Sequence, residues 1–312
     1  MKKSRKLATL GICSALFLGL AACQQQHATS EGTNQRQSSS AKVPWKASYT
    51  NLNNQVSTEE VKSLLSAHLD PNSVDAFFNL VNDYNTIVGS TGLSGDFTSF
   101  TLVNDYNTIV GSTGLSGDFT SFTHTEYDVE KISHLWNQKK GDFVGTNCRI
   151  NSYCLLKNSV TIPKLEKNDQ LLFLDNDAID KGKVFDSQDK EEFDILFSRV
   201  PTEATTDVKV HAEKMETFFS QFQFNEKARM LSVVLHDNLD GEYLFVGHVG
   251  VLVPADDGFL FVEKLTFEEP YQAIKFASKE DCYKYLGTKY ADYTGEGLAK
   301  PFIMDNDKWV KL

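Results

Sequence analysis

Two Asp-Gly pairs, Asp240-Gly241 and Asp257-Gly258, cut the late part of the chain into short apolar runs. Such a pair between apolar runs is a strong hairpin signal, because glycine accepts the backbone angles that a tight turn needs. Met230–His236, Tyr243–Val253 and Phe259–Phe267 therefore read as consecutive antiparallel strands, and Ala273–Phe276 adds a fourth. Ser278 then caps a last helix through Asp281 and Tyr285. Upstream, the apolar spacing is helical. Ser57-Thr58-Glu59-Glu60 reads as a capping box ahead of Val61, Leu64, Leu65 and Leu69. A second helix is expected from Ser73, with Val74, Phe77, Phe78 and Val81 on one face. A third is expected from about Glu126, burying Val129, Ile132, Leu135 and Trp136. Asp189–Val200 and Val210–Phe222 also fit helices. Helices first and an antiparallel meander later is an α+β layout.

The N-terminus sets the compartment. Lys2, Lys3, Arg5 and Lys6 precede an apolar run from Leu7 to Leu20. A spanning helix needs roughly 20 apolar residues, so this run is short for one and fits the h-region of a signal peptide. It ends in Leu20-Ala21-Ala22-Cys23, which looks like a bacterial lipobox. Lipid on the Cys23 thiol, with cleavage before it, gives a protein anchored to the outer face of the cell membrane rather than spanning it. Residues 1–22 are then the leader. Residues 23–44, rich in Gln, Ser, Thr and Asn, form a flexible tether, and 45–312 a single α+β domain. Cleavage removes four cations and no acid from a chain of formal charge -11, leaving -15. That charge argues against nucleic acid and against adsorption to anionic lipid.

Residues 80–101 and 102–123 are identical, reading LVNDYNTIVGSTGLSGDFTSFT. Two copies are too few for a solenoid, which needs at least about three units. A tandem duplication is the simpler account. The first copy continues the helix that carries Phe77 and Phe78, and the second lacks that upstream half.

Three cysteines remain besides the leader's Cys13 and the lipid site, namely Cys148, Cys154 and Cys282. An odd number in an exported chain leaves a free thiol or an intermolecular bridge. The segment from Phe143 to Leu156 reads as a loop opening a helix, with Cys148 in its first turn. There the helix dipole and unpaired N–H groups favour a thiolate, and the same groups can hold an oxyanion. In a helix Cys148 and Cys154 stand roughly 9 Å apart along the axis and on different sides, whereas a disulfide needs Cα atoms within about 7 Å. Cys154 and Cys282 read as packed apolar residues.

A thiol nucleophile needs a base, and His248 in Gly247-His248-Val249-Gly250-Val251-Leu252-Val253 is the candidate. Pairing Val253 with Gly258 across a loop of Pro254 to Asp257 sets His248 directly opposite Glu263. Opposed side chains have Cβ atoms roughly 4.5–5.5 Å apart, so Glu263 can orient the imidazole. In that register Gly250 faces Phe261 and Leu252 faces Phe259.

These residues resemble the NlpC-type cell-wall peptidases, within the wider papain-like group. In that family a cysteine opens a helix, a histidine follows in a strand close to His-Val-Gly-Ile, and a polar residue on the next strand completes the set. The resemblance covers about Phe143 to Phe267. It departs in Asn147-Cys148-Arg149-Ile150, where the family usually has Asp-Cys-Ser-Gly. It departs also in Glu263, where the family most often has His, and in a long cysteine-to-histidine interval. The chain is similar as well to a family of uncharacterised lipoproteins known only as a domain of unknown function.

The resemblance implies a papain-like, NlpC-like fold and a cysteine hydrolase acting on amide bonds, with peptidoglycan peptides as candidate partners. Cys148 would attack, His248 would carry the proton, Glu263 would orient it, and the Cys148 N–H with Asn147 would hold the oxyanion. No cofactor is expected. A binding lipoprotein on the same fold, without turnover, is the alternative. No metal site is expected either. His68, His124, His134, His211 and His236 show no ligand spacing, and Asp175-Asn176-Asp177 lacks the next calcium-loop positions. The glycine-rich run Gly89–Gly95 lacks a P-loop lysine.

Overall fold

The computed structural model of the chain describes residues 45–102 and 127–312. The leader, Cys23, the tether and the second repeat copy beyond Leu102 lie outside those residues. No described helix is long and apolar enough to cross a membrane.

Among the described residues a nine-stranded antiparallel sheet carries the fold. Its centre is the meander read from the sequence: β4 (Arg229–Asp237), β5 (Tyr243–Ala255), β6 (Gly258–Lys264) and β7 (Tyr271–Phe276). β1 (Trp45–Thr50) and β2 (Thr98–Leu102) extend it beside β7. β8 (Phe302–Asp305) and β9 (Lys308–Val310) extend it beside β4. A two-residue β3 (Val200–Pro201) pairs with the start of β5. The mixed helices and antiparallel sheet are an α+β architecture. The flanking strands are short, and β1 finds its partner β7 more than 200 residues away, so no local pattern announced them.

The β5–β6 hairpin corrects the expected register. Ala255 pairs with Gly258 across the two-residue turn Asp256-Asp257, and Leu252 pairs with Phe261. Every pair is displaced by two residues from the register in which Val253 meets Gly258. Side chains alternate with a period of two, so the shift keeps each residue on its expected face. Gly258 has φ +137°, and a Cβ there would lie 2.1 Å from the Phe276 carbonyl oxygen of β7, so only glycine fits.

Helix starts follow side-chain caps. α1 (Gln55–Ser66) is capped by Asn54, whose Oδ1 accepts from the Ser57 N–H at 2.8 Å. Ser57 is therefore inside the helix, and the expected capping box does not form. α2 (Pro71–Val88) starts two residues before Ser73, because Pro71 has its φ preset for the first helical position and Asp70 accepts from the Ser73 N–H. α3 (Val129–Lys140) buries Ile132 and Trp136, but Val129 in its first turn is exposed and Leu135 half-buried. α4 (Cys148–Leu156), α5 (Phe173–Gly182), α6 (Ser187–Leu196), α7 (Val208–Phe219) and α8 (Lys279–Lys289) follow. α8 is capped by Ser278 as expected. α5 was not foreseen.

α4 is the central helix. All its residues but Arg149 are buried, and it packs between α2 and β5. Val249, Val251 and Val253 of β5 and Leu260 and Val262 of β6 share its apolar core. Phe261 and Phe276, on the alternate positions, meet Tyr285 of α8.

The first repeat copy supplies the end of α2, the turn at Gly89–Thr91 and β2. Deleting 102–123 leaves one complete copy in the chain. The deletion variant is expected to unfold within a few degrees of the parent. A loss of more than about 10 °C would show that both copies pack, since 1 kcal/mol shifts a domain of this size by roughly 2–4 °C.

Candidate active site

The loop before α4 turns on Gly145, whose φ of +92° favours glycine and whose Cα faces the Trp136 ring and the Phe267 carbonyl. Asn147 then caps the helix. Its Oδ1 accepts from the Ile150 N–H at 3.1 Å, and its Nδ2 donates to Asp175 Oδ1 at 2.7 Å. The Asn147 side chain is therefore committed to holding the helix start. Asn151, one turn on, donates to Thr146 Oγ1 and accepts from the Tyr271 hydroxyl at 3.0 Å. Cys148 takes the first helical position, where unpaired N–H groups and the helix dipole favour negative charge.

Arg149, next to the cysteine, has a structural role of its own. It pairs bidentately with Asp175 of α5 (Nε to Oδ1 2.9 Å, Nη2 to Oδ2 2.7 Å) and donates to the Val246 carbonyl at 3.0 Å. One side chain thus ties the nucleophile helix to α5 and to the part of β5 next to His248.

β5 is bulged at that point. Val234 pairs with Val246 but Val233 pairs with His248, leaving Gly247 as the extra residue. A Cβ on Gly247 would lie 2.3 Å from the Leu235 side chain, so glycine is required. Val246 and Val249 both enter the core around α4 although three residues apart, so the alternation slips at Gly247-His248. His248 is not opposite Glu263 as the simple register had it: the β5–β6 pairing ends at Val251–Val262, in a register that would set Glu263 opposite Gly250. The two side chains still meet: His248 Nε2 and Glu263 Oε2 are 2.5 Å apart. Cys148 lies near enough to His248 for each to shift the other's ionisation. The three residues come together from α4, β5 and β6, and each is about 1% exposed.

α8 closes the far side. Tyr285 donates to Glu263 Oε1 at 2.5 Å, and Lys289 Nζ stands 3.6 Å from the same oxygen. Tyr290 stacks on the His248 ring with centroids 4.9 Å apart.

Electrostatics polarise the cluster. Burial alone would push the Cys148 thiol up, but the charge and hydrogen bond of His248, helped by Arg149, bring it below its ordinary value. Burial likewise disfavours a charged His248, but Cys148 and Glu263 raise it above the usual range. Glu263, despite burial, is held down at about 2 by the Lys289 charge, by His248 and by the Tyr285 hydroxyl. All three shifts run toward the charged forms of the groups. The other two thiols are the reverse: burial pushes Cys154 up to about 12 and Cys282 well above its ordinary value. All three are free.

A family model, described as a domain of unknown function (DUF4300), matches residues 48–101 and 96–310. The chain belongs to that family. The match spans α1 through β8, so the Cys148, His248 and Glu263 cluster lies inside the family domain. No curated protein and no solved structure matches the chain.

Sequence reasoning missed Asp175, Tyr285, Lys289 and Tyr290. Asp175 had been weighed only as a calcium ligand. The α8 residues are isolated polar and aromatic positions on an ordinary amphipathic helix. Only the i, i+4 spacing of Tyr285 and Lys289 hinted that they share a face.

Proposed function

We propose that this protein is a cysteine hydrolase acting on amide bonds, on a papain-like arrangement, with cell-wall peptides as its substrate class. The observation that supports this is one buried cluster. A helix-opening cysteine interacts electrostatically with a histidine 100 residues on, and that histidine is held by a buried carboxylate. In the reaction the Cys148 thiolate attacks the amide carbonyl carbon. The C–N bond breaks as His248 gives its proton to the leaving amine. His248 then takes a proton from water, whose oxygen attacks the thioester and returns the thiol. Glu263 keeps the imidazole oriented, and the backbone N–H groups at the start of α4 face the developing oxyanion. The test is incubation with a defined set of peptidoglycan peptides, read by mass spectrometry against Cys148→Ala. Cleavage that survives in Cys148→Ala, or that never occurs, defeats the proposal.

The burial of all three residues favours a second reading, a binding lipoprotein that keeps the arrangement without turnover. Tight, stoichiometric retention of a cell-wall peptide with no product would select it.

We place the protein on the extracytoplasmic face of the cell membrane, held by lipid on Cys23. Cys23→Ala is expected to move it from the membrane to the soluble fraction or to stall its processing. Unchanged partitioning on fractionation would refute the anchor.

A further inference from the structure

We infer that Tyr285 and Lys289 of α8 are positioning residues that clamp Glu263 as a carboxylate and so set the acid limit of Cys148 reactivity. The inference rests on the cysteine-nucleophile reading and adds two residues from an element that lies outside the motif resemblance. Glu263 has two oxygens with separate duties. Oε2 meets His248, while Oε1 takes the Tyr285 hydroxyl at 2.5 Å and faces the Lys289 ammonium at 3.6 Å. Lys289 also donates to the Tyr285 oxygen at 3.0 Å, so the two residues, one helical turn apart, reach the same carboxylate oxygen together. Tyr285 in turn reaches Gln272 of β7, opposite Glu263 in the sheet, at 3.4 Å. The carboxylate is thus held from β5 and α8 at once, and Gln272 of β7 supports it through Tyr285.

A buried carboxylate without a cation would take up a proton, because desolvation disfavours its charge. A protonated Glu263 would still fill the space beside His248 but would no longer support an imidazolium. The charged and titratable groups around Glu263 are His248 from β5 and Tyr285, Lys289 and Cys282 from α8. Gln272 on β7 is neutral. Glu269, on the β6–β7 connection, also draws on Lys289. Among the described residues, Lys289 is therefore the cation next to Glu263 besides His248 itself. Its ammonium lies over the Tyr285 and Tyr290 rings, at 5.2 and 5.7 Å from their centroids, which holds it against the cluster.

The test is the pH dependence of Cys148 alkylation by iodoacetamide between pH 3.5 and 8, followed by peptide mapping in the purified protein. Lys289→Met and Tyr285→Phe are each expected to move the acid limb of the rate profile upward by about one pH unit. Lys289→Arg is expected to restore the limb. Thermal unfolding of each variant is run alongside, because a merely structural role would lower the midpoint without moving the limb. An acid limb unchanged in both Lys289→Met and Tyr285→Phe overturns this inference and leaves the nucleophile reading intact. If the parent protein shows no accelerated Cys148 labelling, the nucleophile reading falls, and this inference with it.

Discussion

Iodoacetamide at pH 6 is expected to label Cys148 ahead of Cys154 and Cys282 in the native protein. An unperturbed thiol, with pKa near 8.5, is about 0.3% thiolate at that pH, and each unit by which a thiol is lowered raises that fraction about tenfold. Lower basicity takes back roughly threefold per unit in intrinsic nucleophilicity, so a net gain of about threefold per unit remains. Against Cys154 and Cys282 the margin is far larger, because burial raises both thiols. His248→Ala is expected to slow Cys148 strongly, by about tenfold or more. It removes the partner that lowers the thiol and leaves the burial that raises it. Glu263→Gln should slow it less, since the imidazole stays in place but loses charge support. Because Tyr290 stacks on His248, Tyr290→Ala is expected to speed labelling in an otherwise native protein. Equal labelling of the three cysteines would remove the chemical basis of the hydrolase proposal.

The second large effect is structural. Arg149→Met leaves Asp175, a side chain about 1% exposed, without its bidentate partner. Breaking a buried pair from one side costs about 3–5 kcal/mol, because the remaining charge stays desolvated. At roughly 2–4 °C per kcal/mol, the unfolding midpoint is expected to fall by about 6–20 °C. The double variant Arg149→Met with Asp175→Asn should recover much of the loss. It removes the stranded charge and keeps an acceptor for the Asn147 amide. Recovery in the double variant separates the charge effect from lost packing. A midpoint within about 2 °C of the parent in the single variant would show that the latch carries little.

The elements that were legible share one property: their signals are local. Asp-Gly pairs, alternating apolar runs and the Ser278 cap each act within a few residues, and β4 to β7 and α8 formed where those signals stood. The failures have different origins. Ser57 has the composition of a cap, but its own N–H donates to Asn54, which starts the helix one turn earlier. The hairpin loop is two residues shorter than expected, with Ala255 rather than Val253 paired to Gly258, and Gly258 also lies against the Phe276 carbonyl of a third strand.

The sequence by itself determined that Cys148 opens a helix, that His248 and Glu263 lie in adjoining strands, and that both side chains interrupt otherwise apolar runs. Periods of 3.6 and 2 carry that information without any partner. Only the tertiary structure decided how the two side chains meet. The register moved by two residues and a bulge at Gly247 turned His248, and the pair still closed at 2.5 Å because a shift of two preserves the face. The charge state of the cluster was likewise a tertiary matter. Lys289 and Tyr285 act on Glu263 from more than 20 residues away in the chain, and a Coulomb interaction depends on distance and burial, neither of which is written in the order of residues.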